Sequence, residues 1–546
     1  MKHVATIGLF VVGVVLTLVG PAAVGQMAGN PEKVQRTTIY TKESVPATPR
    51  LEDLPLKESV SQYGITWTFE KPARVGQFVN GDFYVVGAFT IRMIDPRPLF
   101  GDEVKEPINK KDVKEDRHKG KLARNGSSLN PVPCPAEGAD FCSAGFDSRI
   151  PGRGYDPEKF TKLPIAMVPG DALVSSISRT NEEVLKTDCE GSHPDPIRVA
   201  AVLSCVAEPQ PPDAFRPSYC DARNSKPLLA RNLKRELLLR LPRVAGMPER
   251  LDGYAARFQK PWLDLADMGF CAPPENLPHY GQLMAEVEGE ASLLMLSDYP
   301  AEEKESLLLN FVQVGIDLYG CLRGGISPRA WGGIFSGRKW PVVFAGVMLD
   351  DEDMRTPARR VPGLIFQEDD QTALGPIAYR GKTFQKSWSG SRAIFMGHTP
   401  QFFSWGEKHW DRGWGLVDVY APSEWPEAYK GSEPASQAYR GSNTSGAWIP
   451  TALAVRLMHL EKVWNHDAFF AYVDRWMTED DTPFVKAMAE AGFRDHTKVP
   501  PHVWPRQGWY SSWKNGWVPA MWAKYRNDLP PASDGGKTPN DTETWK

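Results

Sequence analysis

The stretch "LLLNFVQVGIDLYGCLRGG", residues 307 to 325, constrains the fold of this chain most. On a helical wheel at about 100° per residue, Ser306, Asn310, Gln313 and Asp317 fall within an arc of roughly 60°, and nearly every other position is apolar or glycine. A solvated helix face is wider and uses Lys and Glu, as the preceding "AEEKE" does. The pattern predicts a helix enclosed by protein on every side except one polar seam. That seam faces either polar groups of neighbouring elements, to which buried amides are normally paired, or a ligand-bearing lumen, where amides hold hydroxyls and carboxylates by directional hydrogen bonds. The uncharged amides favour the lumen, which makes Asn310, Gln313 and Asp317 candidate substrate-binding residues.

The surrounding sequence extends the expectation. Helical periodicity runs through "PLLARNLKRELLLRL", "MPERLDGYAARFQKPWLDLAD", "WPVVFAGVMLD" and "WIPTALAVRLMHLEKVW", so residues 226–530 are predicted to form an (α/α) toroid, an inner ring of helices around a lumen. Residues 61–222 contrast with this. "YGITWTFE" and "FYVVGAFTIRMI" are rich in β-branched and aromatic residues and flank the Asn-Gly turn signal of "VNGD", which predicts a β-rich, sandwich-like domain. The expected fold class is mainly α with a β-rich N-terminal part, and 546 residues suit two domains or one large toroid. Residues 26–60 have no periodicity and suit a linker or poorly ordered lead-in, and residues 531–546 suit a disordered tail.

Lys2 and His3 precede an uncharged run ending in small residues, which predicts a signal peptide over residues 1–25, cut after Gly25, and a secreted or periplasmic location without stable membrane insertion. Retention as a signal anchor is the alternative. Of the seven cysteines, Cys134, Cys142, Cys189, Cys205 and Cys220 crowd one segment, and at least one disulfide is expected there. No CxxC occurs, so no zinc ribbon is expected, and neither a metal nor a cofactor is implied. A net charge of −3 without a dense basic run argues against nucleic acid as a partner. Eighteen Trp and 16 Tyr suit flat ligands, of which sugars are the commonest.

Five further stretches carry candidate chemistry. In "FSGRKWP" the cations Arg338 and Lys339 gather at a helix start, an arrangement suited to an anion unless both merely reach solvent or "DDED". "IFQEDDQT" clusters Glu368, Asp369 and Asp370, which at an element end are expected to face water; as a glycoside-cleaving acid, one of them needs a second carboxylate such as Glu407, Asp411 or Asp418. "HTPQFFSWGEKHWDRGWG" offers His398 and His409 among three Trp, and reads as a stacking surface rather than a metal site. His279 beside Tyr280, and Arg216 near Tyr219 in "FRPSYC", are candidate proton carriers with a cation to assist, while Tyr319 is assigned to the core.

"YGITWTFEKPARVGQFVNGDFYVVG", "GFDSR", "FRPSYC", "NFVQVGIDLYG", "SGRKWPVVFAG" and "WNHDAFFAYVDRWM" resemble segments of secreted bacterial α/α-toroid polysaccharide lyases of the alginate and glucuronan lyase kind, in patches from about 60 to 480. The resemblance implies a polysaccharide or oligosaccharide substrate containing uronic acid, cleaved by β-elimination. Donors aimed at the sugar carboxylate stabilise the charge that gathers there; Asn80, Arg216, Asn310, Gln313, Arg338 and Lys339 are the candidates, with Tyr280, Tyr219 or His279 moving protons. A histidine expected near "GGIFSGRKW" is replaced by Ile334 and Phe335, which puts activity in question. A glycoside hydrolase and a non-catalytic glycan-binding protein are the alternatives.

Overall fold

The computed structural model describes residues 38–105, 120–131, 144–150, 155–187, 196–263, 281–480, 482–493 and 517–531. The expected signal peptide, His279, Tyr280, Cys134, Cys142, Cys189 and Cys271 lie outside them. Ten strands occupy the N-terminal part: β1 (Leu56–Gln62), β2 (Ile65–Gln77), β3 (Phe83–Val86), β4 (Phe89–Asp95), β5 (Leu99–Phe100), β6 (Ala123–Arg124), β7 (Ser127–Leu129), β8 (Ile165–Met167), β9 (Ala172–Ser178) and β10 (Ile197–Val206). Eight of them build one mixed sheet in the order β7-β9-β10-β3-β2-β4-β8, with β1 also on β2, and a separate pair joins β5 to β6.

This sheet curls into a half-barrel, in place of the expected sandwich. The curl follows from β2, whose 13 residues pair with β4 through Thr66–Phe69 and with β3 through Val75–Gln77, with a register shift between Thr68 and Phe69. Trp67, Phe69, Ile91 and Leu203 fill the inside. β10 runs parallel to β3 and antiparallel to β9, and is buried at every position but Arg198, which explains its unbroken apolar run.

α1 (Asn181–Thr187) precedes β10. The rest of the chain carries α2 (Asp252–Gln259), α3 (Gly281–Met295), α4 (Ala301–Arg323), α5 (Lys339–Met348), α6 (Glu352–Arg355) and α7 (Gln367–Asp370). Two short ribbons follow, β11 (Thr372–Leu374) with β14 (Ala393–Phe395) and β12 (Ile377–Tyr379) with β13 (Lys382–Phe384). Then come α8 (Glu407–Asp411), α9 (Ala435–Tyr439), α10 (Ile449–Leu457), α11 (Glu461–Trp464), α12 (Asp467–Thr478), α13 (Thr482–Glu490) and α14 (Trp517–Tyr525). α4 ends in a Schellman turn: the Gly325 and Ile326 amides donate to the Leu322 and Cys321 carbonyls, with Gly325 at φ 111°.

The expected toroid is overturned. The structure is 41% helical and 18% strand, a mixed α/β protein without a clear ring of helices. The hydrophobic positions of α3, α4, α5, α10 and α12 instead converge on one core. Segment 227–241, apolar at helical spacing, forms only short 3₁₀ turns because its amides serve other elements. The Lys234 amide donates to the Met348 carbonyl at the end of α5, and Leu241 to Leu296 just beyond α3.

Candidate functional site

The polar seam of α4 faces protein. Asn310 Nδ2 donates to the Ala255 carbonyl of α2 at 3.2 Å, and Gln313 clamps the backbone of Arg216 by accepting from its amide and donating to its carbonyl, both at 3.1 Å. The Arg216 guanidinium donates to Asp317 from α4 at 2.5 Å and to Asp82 from the β2–β3 turn at 2.5 Å. Asn80 and Gln62 also donate to Asp82, at 2.8 and 2.6 Å. Four expected binding residues, Asn80, Arg216, Gln313 and Asp317, thus meet in one junction that ties the sheet to the helical body, and each is at most 6% exposed. Their hydrogen-bonding groups serve the protein itself, which corrects the expectation of a lumen. Burial pushes Asp317 up to about 6 against the pull of Arg216, since one guanidinium serves two buried carboxylates. Tyr219 is fully buried between the sheet and α4, its ring 5.8 Å from the Arg216 guanidinium.

Arg338 and Lys339 lie elsewhere, where the loop from Arg329 ends at the N-cap Arg338 and α5 begins at Lys339. Both are buried. Lys339 Nζ donates to Asp369 at 2.6 Å and sits 4.2 Å from the Trp464 ring centre. Arg338 donates to the Ile334 and Ser336 carbonyls at 3.0 and 2.8 Å. The anion expected at Lys339 is therefore the protein's own Asp369. Nor does the acidic cluster of α7 face water: it pins this loop. Asp370 accepts from Arg329 and from the Ala330 amide, and Glu368 Oε1 accepts from the Gly337 amide at 2.6 Å. Gln367 accepts from the Phe335 amide and donates to the Gly332 carbonyl. Gly337 is required here, because at φ +86° an added Cβ would lie 2.8 Å from the Ala285 nitrogen and 3.0 Å from Glu288 Oε1. Glu368 is pushed up to about 7 by burial, and its Oε2 has no hydrogen-bond partner among the described residues.

The same loop reaches the surface at Trp331. Its ring meets Phe402 edge-on at 5.3 Å, Phe402 stacks on Trp405 at 4.2 Å, and Trp405 lies 6.3 Å from Trp414. His398 stacks on Trp414 at 5.4 Å and meets Tyr439 at 4.3 Å. Trp405 is 40% exposed, and Trp331, Phe402, Trp414 and Tyr439 are half-buried, so the rings form one accessible aromatic surface over a buried histidine floor. The Gly332 amide donates to the His398 carbonyl, which joins the loop to this surface. Burial pushes His398 down to about 3 and His409 down to about 4, so both are neutral at physiological pH.

Arg412 completes the surface. Its half-buried guanidinium lies 5.1 Å from the Trp414 ring centre and has no ion-pair partner among the described residues. Exposed Lys408 and Asp411 flank it, while exposed Glu407 is engaged by Arg380. Trp410, the third tryptophan of the stretch, packs beside Tyr420 instead. Spacing gave no hint of Arg412, but its place between two tryptophans and beside a lone acid was visible in "HWDRGWG".

Among the described residues no group of His, Cys, Asp and Glu could hold a metal ion, no helix is long and apolar enough to cross a membrane, and no disulfide is present. Cys205 and Cys321 are buried free thiols. No protein-family model, curated protein or solved structure matches the chain.

Proposed function

We propose that the protein is an exported carbohydrate-binding protein that holds an acidic polysaccharide or oligosaccharide on the surface formed by Trp331, Phe402, Trp405 and Trp414. The observation that carries this reading is Arg412, a guanidinium laid over Trp414 with no carboxylate partner among the described residues, beside an exposed tryptophan. Rings stack on the C–H face of a sugar, and the guanidinium supplies a fork for a uronate carboxylate. The test is calorimetric titration with alginate, glucuronan, pectate and glycosaminoglycan oligosaccharides, with neutral dextran oligosaccharides as control. Preference for an acidic chain, lost in Arg412→Ala and in Trp405→Ala, supports the reading. Equal binding of neutral chains refutes it.

Glu368 favours a second reading, acid–base cleavage of the glycan. A carboxyl held near 7 suits a general acid, and Glu288 Oε1 also lies close to Gly337, 3.0 Å from where a Cβ would stand. Hydrolysis leaves new reducing ends, β-elimination adds ultraviolet absorbance, and binding alone produces neither. Either activity should vanish in Glu368→Gln.

A further inference from the structure

A groove of about 160 Å³ opens between segment 215–228, the C-terminal half of α4, and α6. We infer that it is a binding site for a neutral, ring-sized hydroxylated molecule, a single pyranose in size. Its place and lining separate it from the aromatic surface.

Size comes first. A cavity near 150 Å³ accepts one six-membered ring, and the open mouth leaves room for ring substituents. Phe215, Leu228, Ile316 and Met354 supply an apolar wall suited to the C–H face of a sugar ring. Tyr319 stands in the same wall, half-buried, and its hydroxyl makes no hydrogen bond among the described residues. As expected, the Tyr319 ring packs against the main core, while its hydroxyl is available.

Charge then decides the ligand class. Every cation on the groove already has a carboxylate: Lys226 pairs with Asp351 at 2.6 Å, Arg323 with Asp221 at 2.8 Å, and Arg216 with Asp82 and Asp317. Asp353, the remaining acid, is bound by Arg360 at 2.5 Å. No side chain there demands a counter-ion, so a charged ligand gains little while its desolvation costs it much. A hydroxyl, which both donates and accepts, meets the Tyr319 hydroxyl and the spare Lys226 donor without disturbing those pairs.

The experiment is saturation-transfer NMR on the protein with methyl pyranosides of glucose, galactose and N-acetylglucosamine, and with benzoate as an anionic ring of matching size. Wild type is compared with Leu228→Trp, which fills the groove, Tyr319→Phe, which removes only the hydroxyl, and Trp405→Ala on the aromatic surface. At least one pyranoside should give transfer in wild type and in Trp405→Ala, lose it in Leu228→Trp, and bind several-fold more weakly to Tyr319→Phe. Should Leu228→Trp not fold, the Tyr319→Phe comparison alone decides. Transfer to benzoate in preference to every pyranoside, no transfer to any probe, or pyranoside transfer untouched by both groove variants overturns the inference. Loss in Trp405→Ala alone would assign the sugar to the aromatic surface and overturn it too.

Discussion

Replacing Arg216 with methionine tests the junction between the sheet and the helical body. The substitution keeps a long side chain but leaves Asp82 and Asp317 without their shared cation. Breaking a buried ion pair from one side costs about 3–5 kcal/mol. The structure says how that cost is met. Asp82 keeps the Asn80 and Gln62 donors, whereas Asp317, already held up to about 6 by burial, takes a proton. With a wild-type folded value of about 6, Asp317 is ionised at pH 7 and takes up its proton there at a cost of about 1.4 kcal/mol, one pH unit's worth, whereas at pH 5 wild type already holds that proton and the cost vanishes. Guanidinium unfolding at both pH values, followed by tryptophan fluorescence, should therefore show a loss of about 3–5 kcal/mol at pH 7 that is smaller by about 1.4 kcal/mol at pH 5. Adding Asp317→Asn should return part of it at pH 7. A loss below about 1 kcal/mol at pH 7, or one that does not change with pH, would refute the reasoning.

Three further outcomes follow from the same contacts. Gln313→Leu strands the Arg216 amide and carbonyl, and should lower stability by roughly 1–3 kcal/mol in denaturant unfolding without altering glycan affinity. Glu368 has a folded value near 7, above the unfolded carboxylate value. The stability it contributes is thus fully present below about pH 4.3 and lost as pH rises through 7, and the pH dependence of the melting temperature between 5 and 8 should flatten in Glu368→Gln. Gly337→Ala should destabilise by about 1–3 kcal/mol at equilibrium, because both its positive φ and the Ala285 nitrogen oppose a Cβ.

The polar outliers of α4 were visible in the sequence because amides at helical spacing among leucines are conspicuous, and the structure unites four of the expected residues, Asn80, Arg216, Gln313 and Asp317, in one junction. What opposed the seam was not visible: periodicity describes one face of one helix, and the Asp82 partner lies 134 positions from Arg216. The toroid expectation failed for a similar reason. Leucines at spacing 3 and 4 in 227–241 meet the same core without a helix, once Lys234 and Leu241 donate to the ends of neighbouring elements. The acidic cluster misled because Glu368, Asp369 and Asp370 bond to amides and cations between Arg329 and the first residue of α5, Lys339, a tertiary arrangement that composition does not encode. The tryptophan-rich stretch was legible as a cluster of rings, and two of its three tryptophans join one aromatic surface while Trp410 packs beside Tyr420.

The most direct test of carbohydrate recognition is the affinity of one uronate oligosaccharide for wild type and Arg412→Ala across a range of salt. Arg412 lies on an accessible surface and makes no ion pair among the described residues, so its removal should leave the melting temperature unchanged. The account predicts at least a tenfold weaker complex, about 1.4 kcal/mol, with a shallower salt dependence. Unchanged affinity for the acidic chain in a folded Arg412→Ala protein would contradict it.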